Sequence, residues 1–206
     1  MKKYLPLILL LVGALVVAGV FILRGRKTDD SDNGDDEAAL LDLPLEERPV
    51  ISLTPTSDGH YLILKVEKIM FKPASVDYLL LYNTAEGVQQ GVPGTVSLTG
   101  GKDSFEEKLL LGSESSGKFR YDEGVETGSV ELKFRNDKGK LIAKFVTDFH
   151  MQTEEEELTS ADGKFNYTVD ELGEGVFYVT MQTVGIPPSD LKAVTSKDGY
   201  SVFSSE

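Results

Sequence analysis

Three groups of residues in this 206-residue chain have the types from which reactive sites are built. The first is Gly112-Ser113-Glu114-Ser115-Ser116-Gly117-Lys118, which fits the first seven positions of a phosphate-binding P-loop. Such a loop needs Ser or Thr next, to hold magnesium, and a helix N-terminus whose free N–H groups meet the phosphate. Here Phe119 follows, and Phe119-Arg120-Tyr121-Asp122 reads as strand, so a Ser/Gly hairpin loop is expected instead. The second group pairs hydroxyls with a base. Ser115 and Ser116 have only His60 and His150 to activate them, and no serine carries glycine two positions away on both sides, as a nucleophile elbow requires.

The third group is carboxylates with histidine. His60 follows Asp58, and His150 lies between Asp148 and Glu154, but there is no H-x-x-x-H and no recurrent ligand spacing for zinc. Asp29, Ser31, Asn33 and Gly34 match the early positions of an EF-hand loop, yet its twelfth position is Leu40, where a bidentate Glu is needed. Asp122-Glu123 with Glu126, and Asp162-Gly163, are acidic loops of the kind that hold calcium in external β domains, although ion-free acidic turns are commoner. Glycoside hydrolysis needs two carboxylates at a set separation, and that separation belongs to the fold. With 34 acidic residues the chain singles out no pair. Sequence thus assigns no catalytic, cofactor-binding or metal-ligating residue, and no cofactor.

The elements that must position these groups read as short strands. Val130, Leu132 and Phe134 alternate with Glu131, Lys133 and Arg135, apolar on one face and charged on the other. Asn136-Asp137-Lys138-Gly139 follows as a bulged hairpin turn, with a return strand over residues 141–149. Leu62, Leu64 and Val66 repeat the pattern, and Val76, Tyr78, Leu80 and Tyr82 line one face of the next run. Further strands are expected near residues 95–98, 105–111, 118–121, 164–169 and 176–183. Nothing after residue 49 sustains a 3.6-residue apolar period over three turns. Many short strands with Gly-rich turns predict an all-β protein, an antiparallel β-sandwich of two packed sheets.

Residues 50–151 have the length and strand number of an immunoglobulin-like or fibronectin-III-like sandwich, and Val76-Asp77-Tyr78-Leu79-Leu80-Leu81-Tyr82 resembles a central strand of that family. The core Trp and Cys pair of antibody-type domains are absent, which leaves the looser versions. The resemblance implies a fold and carries almost no activity. Residues 152–206, opened by Glu154-Glu155-Glu156-Glu157, are expected to add a β-hairpin or small sheet, with a frayed Ser204-Ser205-Glu206 end.

Upstream, residues 4–23 carry no charge and are mostly Leu, Ile and Val. Twenty residues at 1.5 Å rise span about 30 Å, the hydrocarbon thickness of a bilayer, so a transmembrane helix is expected there after a stub at residues 1–3. A cleaved signal is the rival, with Val16-Val17-Ala18 as its site, but the apolar run exceeds an ordinary signal core. Lys2 and Lys3 before the span nearly balance Arg24, Arg26 and Lys27 after it. The expected orientation is N-terminus inside, with the remainder beyond the plasma membrane. Ala14 and Ala18 give the small-xxx-small spacing of packed spans. Residues 24–49 form a basic flank and then an acidic linker, expected to be disordered because its charges repel and little in it is apolar.

All 34 acidic residues follow residue 27, so the expected external part is more acidic than the whole-chain charge of −13 implies. That field repels phosphate backbones and anionic headgroups, which removes nucleic acid from the candidate partners. The absence of cysteine removes disulfides and thiolate chemistry. Together these readings describe a single-pass surface protein whose β-sandwich serves as a non-catalytic binding, adhesion or structural module for a protein or surface glycan. Two alternatives stand beside it: an accessory subunit of an envelope complex, and an anchored carboxylate-dependent hydrolase.

Overall fold

The computed structural model describes residues 40–170, 173–187, 194–195 and 199–205. The expected span at residues 4–23 and the linker before residue 40 lie outside them. Among the described residues no helix is long and apolar enough to cross a membrane.

The described residues are all-β, with antiparallel sheets. Its strands are β1 (Val50–Pro55), β2 (Tyr61–Glu67), β3 (Ser75–Asn83), β4 (Gln89–Ser97), β5 (Phe105–Leu110), β6 (Gly112–Ser115) and β7 (Lys118–Tyr121). There follow β8 (Thr127–Arg135), β9 (Leu141–Thr153), β10 (Glu157–Thr159), β11 (Asn166–Thr168), β12 (Phe177–Gln182), β13 (Val194–Thr195) and β14 (Tyr200–Ser204). A three-stranded sheet has the order β1-β2-β5, and a seven-stranded sheet the order β13-β14-β12-β9-β8-β3-β4. The hairpins β6-β7 and β10-β11 stand apart from both.

Alternation decides which side chains turn inward. Leu62, Leu64 and Val66 of the small sheet meet Val76, Leu80, Val130, Leu132 and Phe134 of the large one in a single buried cluster, which makes the pair a sandwich. Phe134 is fully buried at its centre, edge-on to Phe71 at 5.0 Å and to Phe145 at 5.9 Å between ring centroids. The β8-β9 turn forms as its sequence predicts. Asn136 Oδ1 accepts from the amides of Lys138 and Lys140, Gly139 takes a positive φ, and the register shifts at Phe134/Arg135.

The C-terminal region departs from expectation. The boundary drawn at residues 151/152 falls inside β9, and β12 pairs directly with β9 from Phe177↔Thr153 to Met181↔Phe149. The added strands therefore extend the large sheet itself. The β10-β11 hairpin closes a second, smaller core of Leu158, Phe165, Val176, Tyr178, Tyr200 and Val202. Strands β12 and β14 are consequently buried on both faces: Val179 and Met181 join the main core while Tyr178 joins the small one. Ser204 pairs with Tyr178, and Ser205 exchanges hydrogen bonds with the Phe177 backbone, so these residues are held where fraying was expected. The end of the linker is also engaged. The Leu41 amide donates to the Ile142 carbonyl, and Arg48 Nε donates to the Leu43 carbonyl across a short 3-10 turn at Leu45–Glu47.

Candidate functional site

The phosphate-loop-like segment is a hairpin. Ser116 and Gly117 both adopt positive φ at the β6-β7 turn, as a tight two-residue connection requires, and no helix follows. Ser115 and Ser116 thus lie at a hairpin tip.

The acidic and histidine candidates behave differently. His60 and His150, the chain's two histidines, line one cleft of about 630 Å³ at an end of the sandwich. Asp122, Glu123 and Glu126, singled out for calcium, line it too, with Asp58, Glu155 and Glu157. Asp148 and Asp162 do not. Val125, Met151 and Phe177 supply apolar wall, and no serine, lysine or arginine is among the described residues lining the cleft. Among the described residues no group of three or more His, Asp or Glu side chains is close enough to hold a metal ion.

Five segments build this cleft, and each is fixed by backbone bonds. The β1-β2 turn carries Asp58 and His60. The Thr56 amide donates to the Tyr61 carbonyl and the Gly59 amide to the Thr56 carbonyl. Gly59 has a φ of +68°, and a Cβ there would stand 2.5 Å from the Phe177 ring, so only glycine lets the ring lie against the turn. The Asp58 carboxylate accepts from the Thr56 hydroxyl and from the His60 amide, and these two bonds, in that order, hold its carboxyl below the ordinary value. Its other oxygen lies 3.5 Å from His60 Nδ1.

The 122–126 segment is tied on three sides. The Asp122 amide donates to the Leu111 carbonyl, the Ala85 amide donates to the Glu123 carbonyl, and the Met151 amide donates to the Glu126 carbonyl. Asp122 also accepts from the Tyr82 hydroxyl at 2.8 Å. Burial, and then this carboxylate, push the Tyr82 phenol well above its usual value, so it stays a donor across the physiological range.

The opposite wall joins β9 to β10 through Thr159. Its carbonyl is reached by His150 Nδ1 at 2.9 Å, by Gln152 Nε2 at 3.0 Å and by the fully buried Thr180 hydroxyl, while its amide donates to Gln152 Oε1. A carbonyl only accepts, so this contact places a proton on His150 Nδ1.

An aromatic column abuts the cleft. The Tyr121 ring stacks on His60 at 3.7 Å with planes 4° apart, and Phe119, two residues earlier on the same face of β7, lies 6.1 Å from Tyr121 and parallel to it. Phe119 is 48% and Tyr121 37% exposed. Sequence reading missed this column, since Phe119-Arg120-Tyr121 looks like any alternating strand.

Below the small core, Asp162 fastens the β10-β11 turn. It accepts from the Ser160 hydroxyl at 2.7 Å and the Tyr200 hydroxyl at 2.8 Å, with Lys164 Nζ at 3.0 Å. The Ser160 bond, then the Tyr200 bond, then Lys164 hold its carboxyl far below the ordinary range. A depressed native value stabilises the fold above the unfolded-state value of about 3.9, and that contribution is lost as pH falls toward the native one. Amide protection in the β10-β11 turn is therefore expected to drop on acidification below about pH 4, and Asp162→Asn to abolish that dependence. Hydrogen exchange that is flat in the wild type between about pH 5 and 3 would contradict this assignment.

No protein-family model, no curated protein and no solved structure matches the chain.

Proposed function

We propose that the chain is a single-span, plasma-membrane-anchored protein whose immunoglobulin- or fibronectin-III-like sandwich stands outside the membrane as a non-catalytic binding module. The observation that carries this reading is the cleft. It is concave, of a size usual for recognition sites, and mixes apolar wall with convergent polar groups held by backbone bonds. Exposed aromatic rings beside it are what binding surfaces carry and what a solvated hairpin has no need of. A tethered module at a surface is presented in many copies, so weak contacts gain by avidity.

Six acidic residues lining one cleft favour a second reading, an anchored carboxylate-dependent hydrolase. One experiment on the full-length protein in intact cells separates the two. A photo-crosslinking residue replaces exposed Glu155 at the cleft, or exposed Asp137 in the β8-β9 turn at the far end of β8. The expected result is a discrete crosslinked partner from position 155 alone, with a C-terminal tag removed by external protease without lysis. Equal labelling from both positions would sink the binding reading. A tag protected until lysis would place the module on the other side of the membrane.

A further inference from the structure

We infer that the cleft and the aromatic column together take an extended, arginine-bearing segment of a partner protein. This rests on the binding-module reading and adds the chemistry of its ligand.

The lining decides the charge. Asp58, Asp122, Glu123, Glu126, Glu155 and Glu157 surround one concavity whose described lining holds no lysine or arginine. Ionised carboxylates only accept hydrogen bonds. A site built of acceptors selects a ligand rich in N–H donors. It repels anionic glycans, nucleic acids and acidic peptides.

The column narrows the choice of cation. Tyr121 is continuous with the cleft on two counts, since its ring stacks on His60 and its chain neighbour Asp122 lines the wall. An aromatic surface at the mouth of an acidic cleft suits guanidinium better than ammonium. The planar group stacks on rings while its donors reach carboxylates in pairs, whereas ammonium is a compact, strongly hydrated charge. The apolar stretch of wall at Val125, Met151 and Phe177 accommodates the aliphatic stems between charges. A protein segment supplies charged heads, stems and backbone in one ligand, and neutral sugars would leave the carboxylate charge unused. The basic face of the β6-β7 hairpin, Lys118 and Arg120, offers a competing occupant in a second copy of the chain.

The test uses full-length protein in nanodiscs of neutral lipid. Fluorescent peptides carry three arginines spaced by Gly-Ser, with analogues in which lysine, citrulline or glutamate replaces each arginine. The arginine peptide is expected to bind at least three-fold tighter than the lysine form and at least ten-fold tighter than the citrulline form, losing affinity as salt rises. The glutamate form is expected not to bind. Glu123→Gln with Glu126→Gln, both at exposed positions, should weaken arginine-peptide binding at least ten-fold while thermal unfolding stays unchanged. Phe119→Ala with Tyr121→Ala should erase the preference for arginine over lysine. Equal binding of the citrulline peptide, tighter binding of a neutral oligosaccharide, or no effect of the carboxylate pair would overturn the inference. So would self-association that disappears in Lys118→Ala/Arg120→Ala, because the occupant would then be a second copy. If the cellular crosslink at position 155 persists while arginine peptides fail, the ligand class is wrong and the binding module stands. Loss of both removes both.

Discussion

Phe134→Ala is expected to lower the unfolding free energy by about 3–5 kcal/mol, enough to consume much of the stability of a domain this size. The ring is fully buried, and its neighbours come from different parts of the chain: Phe71 from the β2-β3 connection and Phe145 from β9. Removing it costs the transfer of a large apolar side chain and leaves a cavity that two fixed sheets close only in part. The loss of two edge-to-face ring contacts adds about 0.5–1.5 kcal/mol each at most, part of which the truncation figure already contains. Urea unfolding checks this. The midpoint should fall with the slope unchanged, and Val146→Ala, at a position 53% exposed on the outer face of β9, should move the midpoint little. A Phe134→Ala effect below about 1 kcal/mol would mean that the two sheets do not share the core described.

Phe134 also marks what sequence makes legible. Its strand is buried on one face and solvated on the other, so apolar and charged residues alternate from Val130 to Arg135, and the hairpin partner follows after a turn that glycine announces. Strands β12 and β14 lack that alternation because both of their faces are covered; the run Phe177-Tyr178-Val179-Thr180-Met181 still marks β12 as a strand, as expected near residues 176–183, but not its partners, which are set by the sheet. Most of β4 was hidden for another reason. Gly91, Pro93 and Gly94 argue against a strand, but β4 is an edge, where proline is tolerated. Strand β10 lies in a run of glutamates and shows only Leu158 to the core.

The cleft was legible in its parts and not in its assembly. His60, the acidic residues of the 122–126 loop and His150 each stand out by residue type, yet whole strands separate the three places. What brings them together is the register of β8 with β9, which sets His150 opposite Thr127, and the bonds that tie 122–126 to Leu111, Ala85 and Met151. Spacing along the chain carries no trace of such convergence. Thr159 is less visible still. It is an ordinary residue by type, and its role comes from a backbone carbonyl that three side chains reach.

That dependence of the cleft on β10 yields the second large effect. Leu158→Ala is expected to release the β10-β11 hairpin and weaken arginine-peptide binding at least ten-fold, without unfolding the sandwich. Leu158 is fully buried in a small core that, among the described residues, has six buried side chains with Tyr167 and Val169 packed against them, so truncation removes a large share of what holds the hairpin down. Leu-to-Ala changes in cores cost about 2–5 kcal/mol, and a hairpin of three residues a side, marginal by itself, is then held chiefly by the polar bonds at Thr159 and Asp162. Release would free the Thr159 carbonyl from His150 and Gln152 and withdraw Glu157 from the wall. Hydrogen exchange by mass spectrometry distinguishes the outcomes. Protection should vanish over β10 and β11 and fall at Tyr200 and Val202, while β2, β3 and β8 keep theirs, as expected of a local opening unit. If the variant instead loses protection everywhere in one step, the small core is part of the main cooperative unit. The cleft wall would then be as rigid as the sandwich that carries it.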